Sequence, residues 1–279
     1  MTNDWKFLKF RSGKWSHYFD IYEREIGSQA ESGFTLIEVG VKEGGSLEYW
    51  KSKFPQARVI GVDLNPKCKT IDPSFEIYIG DQADPRFWDE FFGSVGPFQV
   101  LIDDGGHSYH QQIQTVESAL KFIEEGVIIV EDTHSSFLSD FHPDSSYTFI
   151  EYASSISKLL TLKSFADDPD RFSFIPNQQS LHLYQNVLSV NFYQNIVAFQ
   201  ISKSQASTFG VQILNSGIDS GIDDFRYNGL KSSLVPHFDR YFNITLIETP
   251  LEEIKPSIIP DYFRKLRQVI LFVIRKLRG

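Results

Sequence analysis

The 279-residue chain is 41% apolar, enough for a substantial core, and its 36 acids against 27 bases leave a net charge of −9. That balance excludes global disorder and argues against nucleic acid as the main partner. Cys68 is the only cysteine, so no intrachain disulfide forms and a reducing compartment suits the chain.

Met1 to Lys6 lack the apolar core of a signal peptide, and no apolar run approaches the ~20 residues that cross a bilayer, so the expected location is the cytoplasm. From residue 34 strand and helix signals alternate. Phe34–Gly40 is a short apolar run that ends at glycine. Ser46 reads as the N-cap of a helix with Leu47, Trp50 and Phe54 on one face, stopped by Pro55. Ala57–Asp63 and Phe75–Asp81 read as the second and third strands. Asp84 and Pro85 give an N-cap and first-turn proline to a helix carrying Phe87, Trp88, Phe91 and Phe92. Val100–Asp104 is the fourth strand. The next helix buries Ile113, Val116, Leu120 and Ile123, with Gly126 placed to end it, and Val127–Asp132 is the fifth strand. The alternation predicts an α/β fold with a doubly wound, mostly parallel sheet, whose ligands bind at the strands' carboxyl ends.

Past residue 137 the pattern weakens. Ser180–Leu188 and Asn195–Ile201 read as an antiparallel edge pair. Residues 203 to 250 are rich in Ser, Gly and Asn and yield no functional reading. From Pro260 a helical stripe of Phe263, Leu266, Ile270, Val273 and Leu277 is flanked by six Lys and Arg side chains. The expected organisation is a main domain over 1–202 and an extension over 203–279. The tail helix suits packing on the body, packing on a second copy in a homo-oligomer, or weak contact with a membrane surface through 262–279; packing is the commoner fate.

The chemistry gathers at the predicted strand ends. Two apolar runs stop in acid pairs, Asp103-Asp104 and Glu131-Asp132, and His107 follows the first pair. Four carboxylates on neighbouring strand ends repel one another unless protonated or neutralised. Oxygen ligands favour Mg²⁺, Mn²⁺ or Ca²⁺ as the neutraliser. Strand-end caps or salt bridges are the plainer alternative, weakened by the presence of two pairs. His107 is a candidate general base, because histidine is the usual side chain for that role; a loop histidine that caps a neighbour is the plainer alternative, and His110 and His134 compete with it. Glu38-Val-Gly40-Val-Lys-Glu-Gly44-Gly45-Ser46 joins the first strand to its helix, where glycines allow close approach and the helix start offers free N–H groups. Its spacing is not Gly-x-Gly-x-x-Gly, so a nucleoside without phosphates fits better than a dinucleotide; an ordinary tight turn is the alternative. Asp63 ends the second strand, where an acid accepts ribose hydroxyls. Asp81 ends the third, a place from which an acid can meet an adenine amino group; a helix cap or solvated loop acid is the plainer alternative for each of the two.

Taken together, Glu38–Gly40, Gly80–Gln82, Ile102–His107 and Val130–Thr133, supported by His17–Glu23 and Ser180–Tyr184, resemble the class I S-adenosylmethionine-dependent methyltransferases with a Rossmann-like fold. Within them the motifs resemble the metal-dependent macrolide-sugar O-methyltransferases and the cephalosporin hydroxylase-like proteins, over about residues 15–201. The resemblance implies that Asp104, Glu131 and Asp132 ligate Mg²⁺ (or Mn²⁺) and that His107 is the base. It also implies that Glu38, Gly40, Asp63 and Asp81 belong to the S-adenosylmethionine site, beside Gly44, Gly45 and Ser46 of the loop, with Asp103 in a supporting place. The implied reaction is O-methylation of a small-molecule or sugar substrate with neighbouring hydroxyls. Gly106 stands where the family carries serine. The rival readings are a non-catalytic metal- and nucleoside-binding module, and a nicotinamide-dependent oxidoreductase on a similar fold.

Overall fold

The computed structural model describes residues 5–27, 33–141, 148–162 and 185–206. Helix α1 (Tyr18–Ile26) precedes β1 (Thr35–Val39), α2 (Gly45–Lys53), β2 (Arg58–Asp63) and β3 (Glu76–Ile79). Then come α3 (Pro85–Val95), β4 (Val100–Asp103), α4 (Tyr109–Leu120), β5 (Glu125–Val130), α5 (Phe149–Leu162), the hairpin β6 (Val187–Tyr193) and β7 (Ile196–Ser202), and the one-turn α6 (Lys203–Ala206). One sheet runs in the order β3-β2-β1-β4-β5-β7-β6. Its first five strands are parallel, and β7 is antiparallel to both β5 and β6. All described residues lie in one compact unit. The expected doubly wound sheet with an antiparallel edge pair is present, and β1 and β4 flank its switch point.

Both faces of the central strands are covered, which is why their sequences read as continuous apolar runs. Successive side chains enter opposite layers. Ile37, Val39, Leu101, Ile128 and Val130 pack with α3, α4 and α5, while Leu36, Val100, Ile102, Val127 and Ile129 pack with α1 and α2. Aromatic side chains fill both layers. Trp88 stacks on Phe92 at 5.2 Å between ring centroids and Phe92 on Phe98 at 4.8 Å, whereas Trp50 meets Tyr22 edge-on at 5.0 Å. Trp88 is fully buried, and its indole Nε1 donates to Gln82 O at 2.8 Å. We expect Trp88→Ala to cost roughly 3–5 kcal/mol of stability, read as a lowered denaturant midpoint at unchanged slope.

Asp84 caps α3 as expected, its side chain accepting from Arg86 N ahead of Pro85. Three local expectations are corrected. The N-cap of α2 is Gly44, at φ +84, and Ser46 is buried inside the first turn. Helix α4 ends at Leu120, and Gly126 lies within β5 at φ +138. There an added Cβ would fall 1.9 Å from Gln99 O, so the glycine is needed for β5 to approach β4. The first hairpin strand is Val187–Tyr193, later than the expected Ser180–Leu188, of which 180–184 lie outside the described residues. Gln194 and Asn195 form the two-residue turn, with Asn195 left-handed at φ +61. Beyond α6, the expected extension and its basic helix lie outside the described residues. No helix among the described residues is long and apolar enough to cross a membrane.

Candidate functional site

A cavity of about 800 Å³ opens at the carboxyl ends of β1, β2 and β4. Its floor is the β1–α2 loop. Gly40 has φ +93, and an added Cβ would lie 2.1 Å from Asp104 O, so only glycine lets this loop press against the end of β4. Asp63 shapes the same loop: its Oδ2 accepts from Val41 N at 2.9 Å and Lys42 N at 3.0 Å, and its Oδ1 accepts from Asn65 N at 2.8 Å. Asp81 stands on the wall with Oδ1 accepting from Ala83 N. Gly40, Ser46, Asp63 and Asp81 therefore line one cavity, and Arg11, Ser12 and Gly13 of the N-terminal segment line it too.

The other expected cofactor residues lie behind this wall. Gly44 caps α2 against Phe75 and Ile71, and Gly45 seats the N-terminal segment, since a Cβ added there would fall 2.5 Å from Phe10 O. Glu38 is fully buried beneath the acidic centre. Asp103 is also buried, accepting from Gln82 Nε2 at 3.2 and 3.3 Å and Gly105 N at 3.1 Å, so it braces the turn after β4 from below. Burial holds the Asp103 carboxyl above its usual range, against the pull of the Gly105 hydrogen bond. Strand alternation explains the split. Asp103 follows Leu101 into the α3–α4 layer, whereas Glu38, Asp104 and Glu131 follow Leu36, Ile102 and Ile129 to the side of α1 and α2.

At the lip, Asp104, His107 and Asp132 bring one donor atom each within 4.8 Å of one another. His107 Nε2 lies 3.9 Å from Asp104 Oδ1 and 3.8 Å from Asp132 Oδ2. Its Nδ1 is buried with no hydrogen-bond partner among the described residues. His107 and Asp132 both adopt left-handed backbone, at φ +60 and +52. Such conformations cost about 1–3 kcal/mol each and concentrate at functional sites. His110 is exposed, and His134, also exposed, comes only to 4.0 Å of Asp132 Oδ1, so His107 is the histidine between the two acids. Two carboxylates and an imidazole converging on one point suit a divalent cation.

Glu131 sits differently from its neighbour. Its carboxylate is buried, accepting from Lys14 Nζ at 2.8 and 2.9 Å and from Tyr22 OH at 2.5 Å. Lys14 also reaches Asp104 Oδ2 at 2.7 Å and lies 3.5 Å from Glu38 Oε1. Part of the repulsion expected from the acids is thus relieved by an ammonium that reading the strand ends did not reveal. Burial disfavours the Lys14 ammonium, yet Glu131, Asp104 and Glu38 together lift its pKa above the ordinary lysine value. Burial raises Glu131 above the usual carboxylate range while Lys14 pulls it back. Tyr18 and Tyr22, one turn apart on α1, carry their hydroxyls to the centre, with Tyr18 OH donating to Asp132 Oδ1 at 2.7 Å. A smaller cavity of about 300 Å³, bounded by Trp15, Tyr18 and Glu131, shares Gly13, Asp104 and Asp132 with the larger one. The two cavities meet at those acids.

No family model matches the chain. It is 28% identical, over 72% of its length, to the 8-demethyl-8-alpha-L-rhamnosyl tetracenomycin-C 2'-O-methyltransferase of Streptomyces olivaceus, of which it covers 57%. It is 27% identical, over 62% of its length, to the mycinamicin VI 2''-O-methyltransferase of Micromonospora griseorubida, of which it covers 47%. The chain spans about half the length of the curated relatives it matches. In structure it is similar to MycE, the methyltransferase of the mycinamycin biosynthetic pathway, in complex with Mg and SAH. The TM-score is 0.59 at 21% identity, over 77% of this chain and 54% of that one. The fold is Rossmann-like α/β, as in that methyltransferase.

Proposed function

We propose that this chain is an S-adenosylmethionine-dependent O-methyltransferase, assisted by Mg²⁺ or Mn²⁺, that acts on a sugar or small-molecule substrate with neighbouring hydroxyls. The observation that carries the reading is the meeting of two cavities, one floored by the Gly40 loop, at Asp104 and Asp132, with His107 of the larger cavity between those two acids. The names of the curated relatives support it, since they describe O-methyltransferases, one of a rhamnosyl tetracenomycin-C and one of mycinamicin VI.

In this reading the larger cavity holds the cofactor. Backbone N–H groups already orient Asp63, and its remaining lone pairs are available to ribose hydroxyls. Asp81 lies on the same wall, and this reading assigns it to the adenine amino group. Asp104 and Asp132 would hold the cation, with Glu131, the third acid of the expected ligand set, beside Asp104. When bound, the cation would polarise an acceptor hydroxyl and lower its pKa. His107 Nε2 faces that point and would take the hydroxyl proton; the oxygen would attack the sulfonium methyl as its carbon–sulfur bond breaks, and S-adenosylhomocysteine would leave. The cavity walls align donor and acceptor and exclude water, which is where much of the acceleration arises.

The acceptor occupies the smaller cavity. Trp15 is 59% exposed there, an aromatic face beside carboxylates, which suits the C–H face of a sugar ring. Trp15→Ala is expected to raise the acceptor KM about tenfold with a smaller change in kcat; an unchanged KM would remove the acceptor from this wall. Calorimetry with S-adenosylhomocysteine and NAD side by side tests the cofactor assignment. Binding of the first alone is expected, and binding of NAD alone would favour the oxidoreductase.

A further inference from the structure

The acidic centre contains a cation that belongs to the chain. Lys14 Nζ lies within 2.9 Å of Asp104 and of both oxygens of Glu131, and 2% of its side chain is exposed. A buried ammonium is tolerated only when carboxylates surround it, and here Glu38 supplies a third. The segment that delivers it is anchored elsewhere. Lys9 N and Phe10 N each donate to a Glu48 oxygen at 3.0 Å, and Phe10 O lies against Gly45. Between these anchors and Lys14, Arg11–Gly13 cross the wall of the larger cavity.

Asp104 is claimed from two sides: its Oδ2 binds Lys14, and its Oδ1 faces His107 and the candidate metal position. A divalent ion held by Asp104 and Asp132 would lie close to this ammonium, in a setting where like charges repel strongly. We propose that Lys14 is a positioning residue of the metal centre, a built-in counter-cation that competes with the divalent ion for Asp104 and Glu131 and so sets its affinity. The proposal rests on the metal-assisted reading above. It also ties the centre to the cofactor cavity, because the ammonium and Arg11–Gly13 share one strand of chain.

The test is Mn²⁺ binding, followed by electron paramagnetic resonance without cofactor or acceptor, in the wild type, Lys14→Gln and Lys14→Arg. Removing the charge is expected to tighten Mn²⁺ binding at least tenfold, and the arginine variant, which keeps the charge, is expected to stay near the wild type. Equal or weaker binding by the glutamine variant overturns the proposal, as does an arginine variant that matches it. No Mn²⁺ binding by any variant overturns the metal reading as well, which separates the two failures. If Lys14→Gln does not fold, hydrogen exchange on the wild type decides. Amides of residues 9–14 are expected to exchange several-fold faster with Mn²⁺ bound, and unchanged or slower exchange overturns the proposal.

Discussion

Asp104→Asn is expected to lower methyl transfer by at least about 10³-fold, since it removes the charge-stabilising role of a bound cation, while S-adenosylhomocysteine still binds. Among the described residues, Asp104 is the one acid that contacts Lys14, faces His107 and borders both cavities. Asparagine keeps the shape, and the backbone bond from residue 104 N to Val39 O at 3.0 Å does not depend on the side chain. The fold and the Gly40 loop are therefore retained. What is lost is one anionic oxygen at the point where the three donors converge. The measurement pairs single-turnover transfer with calorimetry of the cofactor product. Turnover near the wild-type value would take Asp104 out of the metal site, and loss of cofactor binding would show that the substitution disturbed the larger cavity instead.

His107→Asn is expected to lower kcat by about 10²–10⁴-fold, the usual contribution of a positioned general base, with Mn²⁺ affinity changed much less. The left-handed backbone at His107 tolerates asparagine well, so the substitution tests chemistry rather than strain. The two readouts separate the roles open to this imidazole. A base is missed in kcat, whereas a ligand is missed first in metal affinity. A large loss of Mn²⁺ binding with kcat preserved at saturating metal would assign His107 to the ion and send the search for the base to His134.

The sheet was legible because burial on both faces writes uninterrupted apolar runs. Val59–Val62, Val100–Ile102 and Val127–Val130, and Leu36–Val39 with the buried Glu38 as its one break, all mark strands that end where the polar residues begin. The first hairpin strand was not legible, because Leu188 and Phe192 are exposed and the residues between them are only half-buried. Gly126 read as a helix terminator, yet its reason is a contact with Gln99 that exists only once β4 and β5 pair.

Within the site, the acid pairs mark the strand ends where Asp104, His107 and Asp132 converge, but not the side chains' directions. The period-2 rule separates Asp103 from Asp104, and it places Glu38 and Glu131 on the side of α1. Lys14 had no comparable local signal. It meets Asp104 across 90 positions of sequence and Glu131 across 117, and nothing near it in the chain marks a buried lysine. Its one hint is its place just ahead of His17–Glu23, the segment that also supplies Tyr18 and Tyr22.

The most direct measurement is transfer of a labelled methyl group from S-adenosylmethionine to a rhamnosyl acceptor with free neighbouring hydroxyls, run with Mg²⁺, with excess chelator, and with Mg²⁺ restored. Metal-assisted O-methylation at Asp104, His107 and Asp132 predicts labelled product in the first run, its loss in the second and its return in the third. Undiminished transfer in excess chelator would contradict it.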